Sequence, residues 1–126
     1  MNTLFGPERD RRFSVSLTQH DGVLVVQVAG ELDPRTSPVL RERLRPVWGQ
    51  ADLRAVVLDT AGLEFCDSVG LSEIITTLKR CEAAGMRFLL SGVHGVLARV
   101  LTLTGLRRAF EIHDSAAEAI RAAAGA

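Results

Sequence analysis

The chain is poor in several things that would point to particular functions. It has two cysteines, Cys66 and Cys81, in neither a disulfide framework nor a metal-ligand spacing. It has no apolar run near the ~20 residues of a membrane span. Met1 to Arg12 contains no apolar core of signal-peptide length. Fifteen basic residues balance fifteen acidic ones, so no global field favours nucleic acid or an anionic membrane. All but one of the basic residues, Lys79, are arginine. No Walker-type loop, dinucleotide fingerprint or metal cluster appears, so no cofactor and no metal are expected. A cytoplasmic protein with reduced thiols is the expectation. At 126 residues, 47% hydrophobic and 24% charged, the chain is of the size and composition of one globular domain.

Hydrophobic period and turn chemistry order the rest. Residues 1–12 carry Gly6, Pro7 and a charged run, and read as a loose tail. Phe13 to Thr18 alternates as a half-buried strand, and Asp21-Gly22 signals a hairpin. Val23 to Val28 is nearly continuously apolar, Gln27 apart, as suits a strand buried on both faces. Asp33-Pro34 reads as an N-cap with proline at the first helical position. Val39, Leu40, Leu44, Val47 and Trp48 form the stripe of that helix, which Pro46 should bend or shorten before Gly49 ends it. Val56-Val57-Leu58 is a buried strand, and Ala61–Ser68 reads as a loop feeding a helix from Ser68 to Ala84 that stops at Gly85. A strand over Arg87–Leu90, a helix through Val96–Leu101 ending at Gly105, and a short strand at Phe110–Ile112 follow. Ser115 to Glu118 is a capping box opening an Ala-rich helix, with residues 122–126 expected to fray. The order is ββαβαβαβα: an α/β domain over 13–121, its sheet mostly parallel with one antiparallel edge hairpin. Loops leaving the carboxyl ends of parallel strands gather on one edge. Topology thus brings Asp33, Asp67, Ser68 and His94 towards one rim.

Three chemistries compete for that rim. A serine at a helix mouth can cap the helix, attack a substrate or accept a phosphate. Spacing alone favours simple capping by Asp67-Ser68. A serine hydrolase lacks its nucleophile elbow, because Cys66 stands where the first glycine of G-x-S-x-G belongs. Cys66 could itself be a phosphate-handling thiolate near a helix N-terminus, but an apolar plug is the plainer reading. Asp59 could be a receiver-type phosphoacceptor, yet Glu31 and Asp33 are separated and Ser91-Gly92 offers no basic residue. Gly70, inside the first turn, costs up to ~1 kcal/mol against alanine. Close approach by another backbone or molecule, or a steric need within the fold, would explain it.

Several segments together resemble a known family. Gly30-Glu31-Leu32-Asp33, Val57-Leu58-Asp59 with Gly62-Leu63-Glu64-Phe65, Asp67-Ser68-Val69-Gly70-Leu71, and Leu103-Thr104-Gly105-Leu106 are similar, in order and spacing, to the STAS domain. The likeness is to bacterial anti-sigma factor antagonists (anti-anti-sigma factors). That resemblance implies a partner-switching phosphoprotein that regulates transcription without catalysis of its own. Its partners would be an anti-sigma factor, itself an ATP-dependent serine kinase, and a serine phosphatase, with no direct contact to nucleic acid or membrane. It implies phosphorylation at Ser68, with Asp33, Asp67, Ser68, Val69, Gly70 and Ser72 in the partner-binding surface. Val69 leaves Ser68 as the only hydroxyl within Asp67–Gly70. Where the family often has a small residue or glycine two places after Gly70, this chain has Ser72-Glu73, and Glu73 is expected to add a carboxylate near that surface. Other functions compatible with the resemblance are a scaffold subunit or a lipid-transport accessory. From another class stands a phosphate-handling enzyme using Cys66 or Ser68.

Overall fold

The computed structural model describes residues 12–125. The tail expected over 1–12 lies, Arg12 apart, outside the described residues. Strands β1 (Phe13–His20) and β2 (Val23–Leu32) form an antiparallel hairpin. Its turn, Asp21-Gly22, has both φ angles positive (46° and 79°), as the primed hairpin turns demand. Helix α1 (Ser37–Leu44) passes into a 3₁₀ turn (Arg45–Gly49), then come β3 (Ala55–Cys66) and α2 (Ser68–Ala83). Strand β4 (Arg87–Ser91), α3 (Gly95–Thr104), a 3₁₀ turn (Leu106–Ala109), β5 (Glu111–His113) and α4 (Ala116–Gly125) complete the chain. The five strands lie in sequence order, β1-β2-β3-β4-β5, and every pair beyond the hairpin is parallel.

The period-2 geometry of the central strands divides the core into two layers. Leu24, Val26, Val28, Val56, Leu58 and Leu90 face a layer built with Leu40 and Leu44 of α1, Ile74 of α2 and Leu101 of α3. Val23, Val25, Val57 and Leu89 face the other, closed by Ala119 and Ala123 of α4. The continuous apolar runs are thus strands with helices on both faces. Strand β1 is one-sided: Phe13 and Val15 are buried, Ser14 and Ser16 exposed.

Four sequence expectations are corrected. Ala61–Ser68 is not a loop, because β3 continues to Cys66 alongside β2, with register shifts between Gln27 and Ala29 and between Gly30 and Glu31. Those bulges break the alternation by which a strand is recognised. Asp33-Pro34 does not open α1; the helix starts at Ser37, with Thr36 as its N-cap and Pro38 in its first turn. Val39, placed in the helical stripe, is exposed. Of the end expected to fray, residues 122–125 belong to α4, with Ala123 buried, and Ala126 lies outside the described residues. Pro46 does shorten α1, which ends at Leu44. Gly85 and Gly105, both at φ 74°, terminate α2 and α3.

Candidate functional site

The rim is assembled where β2 and β3 end. Leu32 and Cys66 are register partners, so Asp33 and Asp67 follow at neighbouring strand ends, about 5 Å apart by sheet spacing. Asp67 N–H donates to Leu32 O (3.3 Å), locking the second strand end to the first. Each aspartate then folds the chain into its helix. Asp33 Oδ1 accepts from Arg35 N (2.9 Å) and Thr36 N (3.1 Å), making a turn closed on its own backbone. Thr36 Oγ1 accepts from Asp33 N (3.0 Å) and donates to Glu31 O (2.7 Å). Asp67, in extended conformation, caps α2 through Oδ1, which accepts from Gly70 N at 2.9 Å.

Four N–H groups at the mouth of α2, those of Asp67 to Gly70, have no partner within the helix. Asp67 N–H is taken by Leu32 O and Gly70 N–H by Asp67 Oδ1. The Ser68 and Val69 N–H groups have no helical carbonyl four residues back. Ser68, the first helical residue, is exposed and is not the cap. Its hydroxyl therefore stands at the positive end of α2, in reach of solvent. Val69 (42% exposed) and Phe65 (43%) flank it as large apolar side chains open to water. Ser72, one turn on, is also exposed. Gly70 is buried: a Cβ there would lie 2.5 Å from Leu32 O, so close approach by a neighbouring backbone accounts for the glycine.

Other candidates fall elsewhere. Cys66 is 3% exposed and burial pushes its thiol up to about 12, which removes the thiolate that phosphate chemistry needs at neutral pH. Asp59 is half-buried; its Oδ1 accepts from Ser91 Oγ and Ala61 N, each at 3.2 Å, and so braces the first β3 bulge. His94 precedes α3, with Nε2 2.9 Å from Ala61 O, and so pins α3 to β3. Glu73 does not join the exposed surface. It is buried on the inner side of α2, where its Oε1 accepts from Arg41 Nη2 at 2.8 Å. Among the described residues no group of three or more potential ligand side chains could hold a metal, and no helix is long and apolar enough to cross a membrane. Sequence reasoning missed Thr36, Arg41 and Phe65. Thr36 had a usable signal, a hydroxyl three residues after Asp33; Arg41 had none, since its partner lies on another helix.

A family model described as the STAS domain matches residues 14–119. The anti-sigma-B factor antagonist of Bacillus subtilis is 34% identical over 100 residues, covering 79% of this chain and 89% of that protein. The anti-sigma F factor antagonist of Paenibacillus polymyxa is 29% identical over 106 residues, covering 84% and 91%. The crystal structure of an anti-sigma factor antagonist from Mycobacterium paratuberculosis superposes with a TM-score of 0.78 at 30% identity, covering 88% of this chain and 93% of that one. With a family model spanning nearly the whole described fold and the strand order expected of it, the chain belongs to the STAS domain family.

Proposed function

We propose that this protein is a cytoplasmic anti-sigma factor antagonist without catalysis of its own. With Ser68 unmodified it holds an anti-sigma factor that is also a serine kinase. Phosphorylation of Ser68 releases that partner, and a serine phosphatase resets the cycle. The observation that carries this reading is the division of labour at the mouth of α2: Asp67 caps the helix, leaving Ser68 exposed at the rim. The relatives' names as antagonists of anti-sigma factors support it.

The surface would be formed by Asp33, Asp67, Ser68, Val69 and Ser72, with Gly70 letting the two strand ends come together. Val69 and Phe65 supply apolar area for the partner to cover. A phosphate on Ser68 adds about −1.5 to −2 charge. The Ser68 and Val69 N–H groups can donate to it with little cost to the fold, so the penalty falls on the partner as repulsion and desolvation. A loss of ~4 kcal/mol weakens binding about a thousandfold, enough for a switch.

The test pairs modification with binding. The protein is incubated with purified anti-sigma factor kinases of the same genome and ATP, and the phosphate is located by mass spectrometry. A pull-down then compares Ser68→Ala with Ser68→Asp. Retention of the kinase by Ser68→Ala and its loss by Ser68→Asp are expected; equal retention by both overturns the reading.

A further inference from the structure

Two arginines fasten α1 from opposite sides. Arg43 Nη1 donates to Val15 O of β1 at 2.8 Å, and Arg41 Nη2 donates to Glu73 Oε1 of α2 at 2.8 Å. Among the described residues the second is the only side-chain hydrogen bond that joins α1 to α2. Glu73 is 7% exposed, on the buried side of α2 with Ile74 and Thr77, where an ionised carboxylate is costly unless paired. Arg41 is half-exposed and reaches in to it. Helix α1 is eight residues long, and the side chain of its N-cap, Thr36, makes no hydrogen bond to the helix itself. A helix so short does not hold itself in place. Leu40 and Leu44 bury it, but apolar contact is non-directional and allows sliding. A guanidinium bonded to a buried carboxylate is directional, because its planar fork offers donors in fixed positions.

Both partners sit within roughly two turns of the strand ends that make the rim. Asp33 begins the turn that ends at Thr36, the N-cap of α1, and Asp67 caps α2. We infer that Glu73 is a positioning residue: by holding Arg41 it fixes the Asp33–Thr36 turn against the Asp67–Gly70 cap. The inference deepens the reading of those two turns as halves of one partner surface, and rests on it for its biological meaning. It also explains why a carboxylate stands on the inner face of α2 at all.

The experiment needs no partner. Amide hydrogen exchange on the full chain is followed by NMR at Thr36, whose N–H reaches Asp33 Oδ1, and at Gly70, whose N–H reaches Asp67 Oδ1. Val25 and Val57, in the central strands, report global opening. Glu73→Ala and Arg41→Ala are each expected to speed exchange at both Thr36 and Gly70 by about tenfold, leaving Val25 and Val57 unchanged. The double variant is expected to do no more than either single one, because one interaction is lost in all three. Arg41→Lys, which keeps a charge within reach, restores part of the protection. If Glu73→Ala does not fold, Glu73→Gln gives the same pattern more weakly. A response at only one turn, equal acceleration throughout, or additive single effects overturns the inference. Should both turns respond while Ser68→Ala and Ser68→Asp hold the kinase alike, the positioning stands and the partner reading alone fails.

Discussion

Gly70 shows at the scale of one residue how a glycine that weakens its helix can hold a site together. Alanine is the better helix former by up to ~1 kcal/mol, so Gly70→Ala should stabilise α2 if nothing else mattered. Its methyl would, however, lie 2.5 Å from Leu32 O, 2.9 Å from Leu32 Cγ and 3.0 Å from Cys66 Sγ. The first of these is backbone, fixed by the bond from Asp67 N, and cannot swing away. Overpacking of this kind costs ~1–3 kcal/mol, which outweighs the helical gain. Gly70→Ala is expected to lower unfolding stability in urea by about 2 kcal/mol; a raised midpoint would contradict the close approach. Asp67→Ala removes the cap and should cost ~1 kcal/mol, most of which Asp67→Asn retains because its side-chain oxygen also accepts the Gly70 N–H. The oddity of a first-turn glycine was visible in the sequence. Its cause was not, since Leu32 is brought near only by the β2–β3 register.

Among the elements, what could be read and what could not divides along the range of the forces involved. Turns and caps made within a few residues were legible: Asp21-Gly22, the Gly85 and Gly105 stops, and Ser115, whose Oγ accepts Glu118 N at 3.2 Å. The far half of β3 was not, because its bulges put Gly62, Leu63 and Phe65 out of alternation. Nor was the true start of α1, because the Asp33 side chain bonds two residues on and delays the helix. Such long-range links also govern the β4–β5–α4 end of the fold. Arg87 donates Nε to Glu111 Oε1 at 2.8 Å, Nη2 to Oε2 at 2.5 Å, and Nη1 to Ala122 O at 3.0 Å. This fork holds the Glu111 carboxyl below its usual range, with a smaller contribution from the His113 hydrogen bond. A depressed carboxyl contributes stability above its unfolded pKa, near 4.5, and loses it as pH falls through the lower folded value. Stability should therefore decline on acidification below about pH 4.5. Glu111→Gln should flatten that limb while lowering stability near neutrality, as denaturant titrations across pH would show.

For the molecule as a whole, the question is whether the rim changes state by altering the fold or only the surface it presents. The sheet and its two apolar layers close below the rim, and Ser68 stands outside both. A negative group at the first position of α2 meets the positive end of the helix, worth 0.3–1 kcal/mol in its favour. The neighbouring Asp67 carboxylate, half-buried and already occupying the Gly70 N–H, opposes it by like-charge repulsion of similar size. These terms nearly cancel, so Ser68→Asp should change unfolding stability by no more than about 0.5 kcal/mol, as for surface substitutions elsewhere. In a domain of this size that amounts to a shift in Tm of no more than about 2 °C. Calorimetry and an amide spectrum of Ser68→Asp should therefore reproduce the unmodified protein except around residues 67–72, even where partner binding is lost a thousandfold. A large drop in Tm, or chemical-shift changes spread through β2 and β3, would instead mean that charge at the rim acts by loosening the sheet. The exposed hydroxyl and the separately satisfied cap argue against that, because nothing in the core depends on Ser68 remaining neutral.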